Sequence, residues 1–354
     1  MRRLAFIPTL SILFVIRSYA FVATTPFVSA LPSFKSLCLS QQQVADVETA
    51  HFDLSTGVSM LIESSKPKKW TNKPPILFLH GSFHGSWCWS ERFFPFFVER
   101  GFPVVALNWR GTGGTKAGDG VTKVKITEHV ADLNSFLEDV LPQLGYADVK
   151  PTVVCHSFGG LAVMKYLEQN PASKFSGIVM MCSVPPSGNG KMTMRYLKRS
   201  LIDSWKITAG FAMKRVLTND VLCRELFFGG MIKAREDGSV EDYGIPDADV
   251  HRYQAYFARD SAATIDLLDL AKQLPSSATT SDGRASFVAQ LPPCLVMGAT
   301  DDMVVDREGI DETAKYFGLD DYKMIDSPHD VMLGAKWQNA ATALHQWIED
   351  KVLL

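Results

Sequence analysis

Val153-Val154-Cys155-His156-Ser157-Phe158-Gly159-Gly160 reads as an apolar strand that enters a tight turn and leaves as a helix. A serine at such a turn is held in a strained conformation with its hydroxyl above the sheet edge, and its flanking positions must be small so that strand and helix can approach. Gly159 and Gly160 meet that need on the helix side, while Cys155 stands where the usual G-x-S-x-G pattern has its first glycine. The expected role of Cys155 is a buried small residue, and that of His156 is to shield the turn. Outward from this turn, short continuous apolar runs alternate with helix-length amphipathic stretches, the pattern of βαβ units on a mostly parallel sheet. Strands are predicted at Pro75–Leu79, Val104–Leu107, Thr152–Val154, Ile178–Met181, Leu295–Met297 and Tyr322–Ile325, with helices at Trp89–Glu99, Thr127–Leu141, Phe158–Gln169, Glu308–Phe317 and Lys336–Lys351.

The alternation stops after Ser183. Val184-Pro185-Pro186-Ser187-Gly188-Asn189-Gly190 reads as a linker, and about a hundred residues pass before the strand at Leu295. That stretch is expected to be a helical cap, with helix formers and spaced apolar residues over Met192–Leu201, Phe211–Thr218 and Asp249–Leu274. The predicted organisation is a presequence over 1–45, a core over 46–184, the cap over 185–288 and the rest of the core over 289–354. Cap residues such as Met192, Met194, Phe211, Met213, Phe227, Phe228 and Met231 either line an apolar pocket or pack the cap's own core, and the sequence does not choose between them.

A serine is a weak nucleophile until an aligned base takes its proton, and the base needs a third group to hold its tautomer. Asp326-Ser327-Pro328-His329-Asp330 places a histidine in a short loop before a helix, making His329 the candidate base. Leu295-Val296-Met297-Gly298-Ala299-Thr300-Asp301-Asp302 places an acid three residues past a glycine at a strand end. Asp301 is the expected partner of His329, with Asp302 and Asp330 as solvated or capping acids. Leu79-His80-Gly81-Ser82-Phe83-His84-Gly85 follows an early strand, so the backbone N–H of Ser82, with that of Phe158 at the start of the next helix, is the expected oxyanion hole. His80 and His84 are candidates for the pocket lining or for packed structural roles. Neither a metal nor an organic cofactor is expected.

The order Ser157, Asp301, His329 resembles that of the α/β-hydrolase superfamily, and the likeness extends over residues 50–352. His80-Gly81-Ser82-Phe83-His84-Gly85-Ser86-Trp87-Cys88-Trp89 is similar to the H-G-x-x-H-x-x-W-C-W segment of plant methylesterase and hydroxynitrile-lyase relatives and of plastid hydrolases. Asn108-Trp109-Arg110-Gly111-Thr112-Gly113-Gly114-Thr115 is similar to the superfamily's D-x-R-G-x-G-x-S loop, with Asn108 in place of Asp. The resemblance implies an α/β-hydrolase fold with a helical cap, and a serine esterase acting on an apolar small-molecule or lipid ester. Epoxide hydrolases and haloalkane dehalogenases of this superfamily use Asp at the elbow, so Ser157 argues against both. Two other readings of the same fold stay open. One is a lyase, against which the absence of Lys in Asp330-Val331-Met332-Leu333 counts; the other is a slow-turnover ligand-binding protein.

The 354 residues carry 36 Lys plus Arg against 38 Asp plus Glu, and no basic block of the kind that holds nucleic acid occurs, so nucleic acid is not an expected partner. Six scattered cysteines form no C-x-x-C pair, which argues against a zinc site or a disulfide scaffold. Arg2 and Arg3 precede an apolar run of 13 residues, Leu4–Ile16, too short to span a bilayer and suited to a signal core. Ser18-Tyr19-Ala20 then offers a cleavage site before Phe21, and the stretch to Val44 has hydroxyl residues and no acid. This resembles the bipartite plastid presequences of algae with secondary plastids, such as diatoms, and scattered thiols suit a reducing stroma. Secretion or an endomembrane location is the alternative; no membrane span is expected once the presequence is removed.

Overall fold

The computed structural model describes residues 46–354 apart from 70, 172–173, 231, 235–239, 243 and 354. The expected presequence over 1–45 and Met231 therefore lie outside the described residues. Eight strands form one sheet: β1 (Glu48–Asp53), β2 (Ser59–Ser65), β3 (Ile76–Leu79), β4 (Val104–Leu107), β5 (Thr152–His156), β6 (Gly177–Met181), β7 (Cys294–Asp301) and β8 (Lys323–Pro328). Their order across the sheet is β1-β2-β4-β3-β5-β6-β7-β8, and only the two pairings of β2 are antiparallel. The four central strands are buried along their whole length, as continuous apolar runs covered on both faces must be. All six predicted strands are present. The β1–β2 hairpin was not anticipated, because β1 lies exposed at the sheet edge and has no apolar alternation to read.

The topology fixes where chemistry can occur. β3 lies between β4 and β5, so the chain passes from β3 to the neighbour on one side and then crosses from β4 to the neighbour on the other, and Leu79 at its end pairs with both Leu107 and Cys155. Such a switch point opens a crevice at the carboxyl ends of the strands. The His80–Gly85 loop and the Ser157 turn emerge there side by side. Beneath them Phe78 stacks on Trp89 at 4.8 Å between ring centroids, within a fully buried aromatic cluster that includes Phe93 and Phe97.

Between β6 and β7 the inserted segment folds as helices Asn189–Arg199, Leu201–Phe211, Asp247–Arg259 and Leu267–Lys272, with shorter turns between them. Ser200 separates the first two: its backbone is extended, and its Oγ accepts from the Asp203 N–H at 3.1 Å as an N-cap. Two features depart from the wholly helical expectation. Ile232–Ala234 and Val240–Asp242 pair as an antiparallel ribbon, and the expected run Asp249–Leu274 breaks after Arg259. The break has a cause, since Asp260 turns into the core and its carboxylate accepts from Trp87 Nε1 and the Gly113 N–H, each at 2.8 Å. Thr264–Ile265 then pairs with Lys123–Val124 of the core, and Arg195 forks onto Asp306 at 2.6 and 2.7 Å. Among the described residues no helix is long and apolar enough to cross a membrane.

Candidate active site

β5 ends at His156, the helix Gly159–Gln169 starts three residues later, and Ser157 between them sits at φ +51°, a region that L side chains avoid. The turn is pinned by the Ser157 N–H donating to the Met181 carbonyl at 3.2 Å and by the Ser157 carbonyl accepting from Gly160 and Val184, each at 3.1 Å. The glycines are sterically required. A Cβ on Gly159 would stand 2.7 Å from the His80 carbonyl oxygen, one on Gly81 would stand 2.7 Å from Ser157 Cβ, and one on Gly160 would overlap Ser183. Gly159→Ala is therefore expected to destabilise the fold by about 1–3 kcal/mol, because backbone on both sides must move; urea denaturation checks this, and an unchanged midpoint would contradict it. Cys155 is fully buried with Sγ 3.2 Å from the Val179 carbonyl, and burial pushes its thiol pKa up, so it is inert packing.

His329 reaches this turn from the loop after β8. Its Nε2 lies 3.2 Å from Ser157 Oγ, and its Nδ1 lies 2.8 Å from a carboxylate. That carboxylate belongs to Asp302, which corrects the expectation of Asp301. β7 runs four residues past its expected end at Met297, through Asp301, and its register on β8 slips there: Ala299 faces Ile325, whereas Asp301 faces Pro328. Asp302 is consequently the first residue beyond the strand. It folds back so that Oδ1 accepts from the N–H groups of Val304 and Val305, at 2.7 and 2.8 Å, and Oδ2 faces the imidazole. Its side chain is 1% exposed, not solvated. Burial works to lower the His329 pKa, but the charge and hydrogen bond of Asp302, with the charge of Asp330, outweigh it and the net shift is upward.

A second imidazole–carboxylate pair, which the sequence reading missed, adjoins the first. His84 Nε2 lies 2.8 Å from Asp330 Oδ2 and its Nδ1 lies 2.7 Å from the Ser82 carbonyl oxygen, with both side chains buried. The Ser82 carbonyl shares a peptide with the Phe83 N–H, so His84 fixes the plane of the loop that carries the expected oxyanion donor. His156 is neutral: burial, then the neighbouring His329 charge, lowers its pKa, and its Nε2–H donates to the His329 carbonyl at 3.0 Å. His80 is likewise held neutral, its pKa lowered to about 4 by burial, and it links the Gly81 carbonyl to the Trp109–Thr112 loop. Neither His84 nor His80 borders the cavity at Ser157; His80 borders only a smaller neighbouring cleft. Packing, not pocket lining, is the placement found for His84.

The N–H groups of Ser82 and Phe158 donate to no other described group, and both residues border the cavity that contains Ser157. That cavity has a volume of about 350 Å³ and a mostly apolar wall, to which the cap contributes Met192, Tyr196, Ile207, Phe211 and Leu267. Two donor groupings here have metal-ligand proximity, His156/His329/Asp330 and Cys182/Asp302/His329. In the second, His329 Nδ1 is committed to Asp302, and burial, then the Asp302 charge, pushes the Cys182 thiol well up; in the first, His156 Nε2 is committed to a carbonyl, while His156 Nδ1 and Asp330 Oδ1 meet no hydrogen-bond partner among the described residues. Ion binding in the second grouping would have to break the Asp302–His329 contact.

The chain matches the model of the alpha/beta hydrolase family over residues 76–339. It is 23% identical over 239 residues to epoxide hydrolase 1 of Caenorhabditis elegans, covering 65% of this chain and 54% of that one. It is 31% identical over 111 residues to methylesterase 10 of Arabidopsis thaliana, covering 31% of this chain and 38% of that one. The chain thus spans about half or less of the length of these relatives. An esterase from Thermogutta terrifontis superposes with a TM-score of 0.58 at 14% identity, covering 86% of this chain and 98% of that one, which is a likeness of fold.

Proposed function

The chain belongs to the alpha/beta hydrolase family, and we propose that it is a serine hydrolase that cleaves an ester of an apolar small molecule or lipid through an acyl-enzyme. The observation that carries this reading is the line Ser157 Oγ–His329 Nε2 at 3.2 Å and His329 Nδ1–Asp302 Oδ2 at 2.8 Å. Nδ1 faces a carboxylate and so carries the proton, which leaves the Nε2 lone pair for the serine hydroxyl. Ser157 Oγ attacks the ester carbonyl carbon while its proton passes to His329 Nε2, and Asp302 stabilises the imidazolium that forms. The carbonyl oxygen takes the displaced electron pair and is held by the N–H groups of Ser82 and Phe158, the latter at the positive end of a helix. Collapse of this intermediate breaks the carbon–oxygen bond, and the leaving alkoxide takes the proton from His329. Water then repeats the sequence on the acyl-enzyme, releasing the acid and restoring Ser157.

The apolar cavity wall supports an apolar substrate, and the likeness to a methylesterase supports ester chemistry. The epoxide hydrolase likeness is weighed against it by the elbow residue, a serine in place of the carboxylate that the resemblance implies for epoxide opening. Incubation with a fluorophosphonate, followed by peptide mass spectrometry, is expected to place the adduct on Ser157, and p-nitrophenyl esters of rising chain length should then show an optimum that sizes the cavity. A folded protein that takes no label would overturn the hydrolase reading in favour of a ligand-binding one.

A further inference from the structure

The two helices that roof the Ser157 cavity have outer faces that carry exposed apolar side chains. Among the described residues, nine of the eleven large apolar side chains left exposed lie in the cap. Five of them, Met194, Leu197, Leu201, Ile202 and Trp205, sit on the helices Asn189–Arg199 and Leu201–Phe211, mostly three or four residues apart and so sharing faces. The same segment is strongly basic. Residues 189–217 carry seven Lys or Arg and one acid, Asp203, in a chain whose net charge is −2. Arg195, Arg199 and Lys206 are spent on Asp306, Glu308 and Glu225, and Lys214 donates to the Ser261 carbonyl at 2.7 Å, whereas Lys191, Lys198 and Arg215 face no carboxylate among the described residues. Exposed apolar residues with a tryptophan, interspersed in sequence with cations that face no carboxylate, have the composition of segments that lie in a lipid headgroup layer.

We propose that this face of the cap docks on an anionic lipid bilayer, seating the mouth of the catalytic cavity at the interface. The placement follows from Leu267, which is 54% exposed beside Leu268 and also lines the Ser157 cavity, so the apolar surface continues into the apolar interior. Tyr196, Ile207 and Phe211 line that cavity from the same two helices whose other faces are exposed. A second copy of the chain is a poorer occupant. A two-fold pairing through this face would set the surplus cations of one copy against those of the other, whereas anionic headgroups attract each lysine or arginine near the surface. Docking itself needs no catalysis; only its consequence, entry of a lipid-soluble ester from the bilayer, rests on the proposed hydrolase reading.

The test uses the full chain carrying Ser157→Ala, so that no turnover occurs, with vesicles of phosphatidylcholine containing phosphatidylglycerol, and hydrogen exchange read by mass spectrometry. Because the readout is local, any membrane affinity of residues 1–45 does not enter it. Amides of residues 189–211 are expected to exchange ~5-fold or more slowly with vesicles than without, and high salt should remove most of that protection. The further change Ile202→Asp with Trp205→Asp should abolish it while leaving the melting temperature in place. Unchanged exchange over 189–211 would overturn the proposal, as would equal protection in the doubly changed cap. Protection that grows with protein concentration in the absence of vesicles would overturn it in favour of a second copy. If Ser157 takes no fluorophosphonate and the vesicle protection is nevertheless seen, the catalytic reading falls and the docking surface stands.

Discussion

Ser157→Ala is expected to lower kcat/KM for ester hydrolysis by ~10⁶ while leaving the fold intact. The size of the loss follows from the division of labour in the site. His329 and Asp302 act only through the serine oxygen, so removing that oxygen idles all three residues together, and the remaining rate comes from binding and from the Ser82 and Phe158 donors. The fold should tolerate the change, because alanine meets the same φ of +51° that serine already adopts, and one long hydrogen bond to His329 is lost at a cost of about 1 kcal/mol or less. Steady-state kinetics on a p-nitrophenyl ester, beside a thermal melt, check both halves. Activity within tenfold of the native protein, with an unchanged melt, would place the nucleophile elsewhere.

How much of this was legible in the residues depends on how local each signal is. The elbow is written within eight consecutive residues, since the strain at Ser157 and the closeness of the helix force Gly159 and Gly160 to be glycine. Buried parallel strands such as Val104–Leu107 announce themselves as unbroken apolar runs. Asp302 was not legible, because the choice between two adjacent acids turns on where β7 ends and on a register slip against β8, a partner some twenty residues away. The pairing of His84 with Asp330 was hidden for a related reason. It joins residues 246 apart in the chain, and nothing near either one distinguishes a packed histidine from a pocket histidine. The cap was legible as an insertion but not as two helices with opposite loyalties. Apolar residues of Met192–Leu201 read alike in sequence, while in the fold Met192 is buried toward the cavity and Met194 is exposed.

The two adjacent acids give the second large expected effect: Asp302→Asn should cost ~10⁴ in kcat/KM, and Asp301→Asn no more than ~3-fold. An asparagine at 302 is held in one orientation by the backbone. Its carbonyl oxygen must take over the role of Oδ1, accepting from the Val304 and Val305 N–H groups, so its amide nitrogen is left facing His329 Nδ1. A donor at that place obliges Nδ1 to accept, which moves the imidazole proton to Nε2 and presents an N–H, not a lone pair, to Ser157. The pH dependence separates this from simple damage. In the native site burial lowers the His329 pKa and Asp302, together with the charge of Asp330, more than reverses it, so the acid limb of kcat/KM should titrate above the ordinary histidine value of about 6.5, with activity rising as the imidazole loses its proton. Asp302→Asn removes the charge and the hydrogen bond that raise the pKa but leaves the burial that lowers it, so the acid limb of the residual activity should move to lower pH. A pH–rate profile of the two asparagine variants decides the matter. Loss of ~10⁴ in Asp301→Asn with a native profile in Asp302→Asn would restore the assignment that the sequence alone suggested.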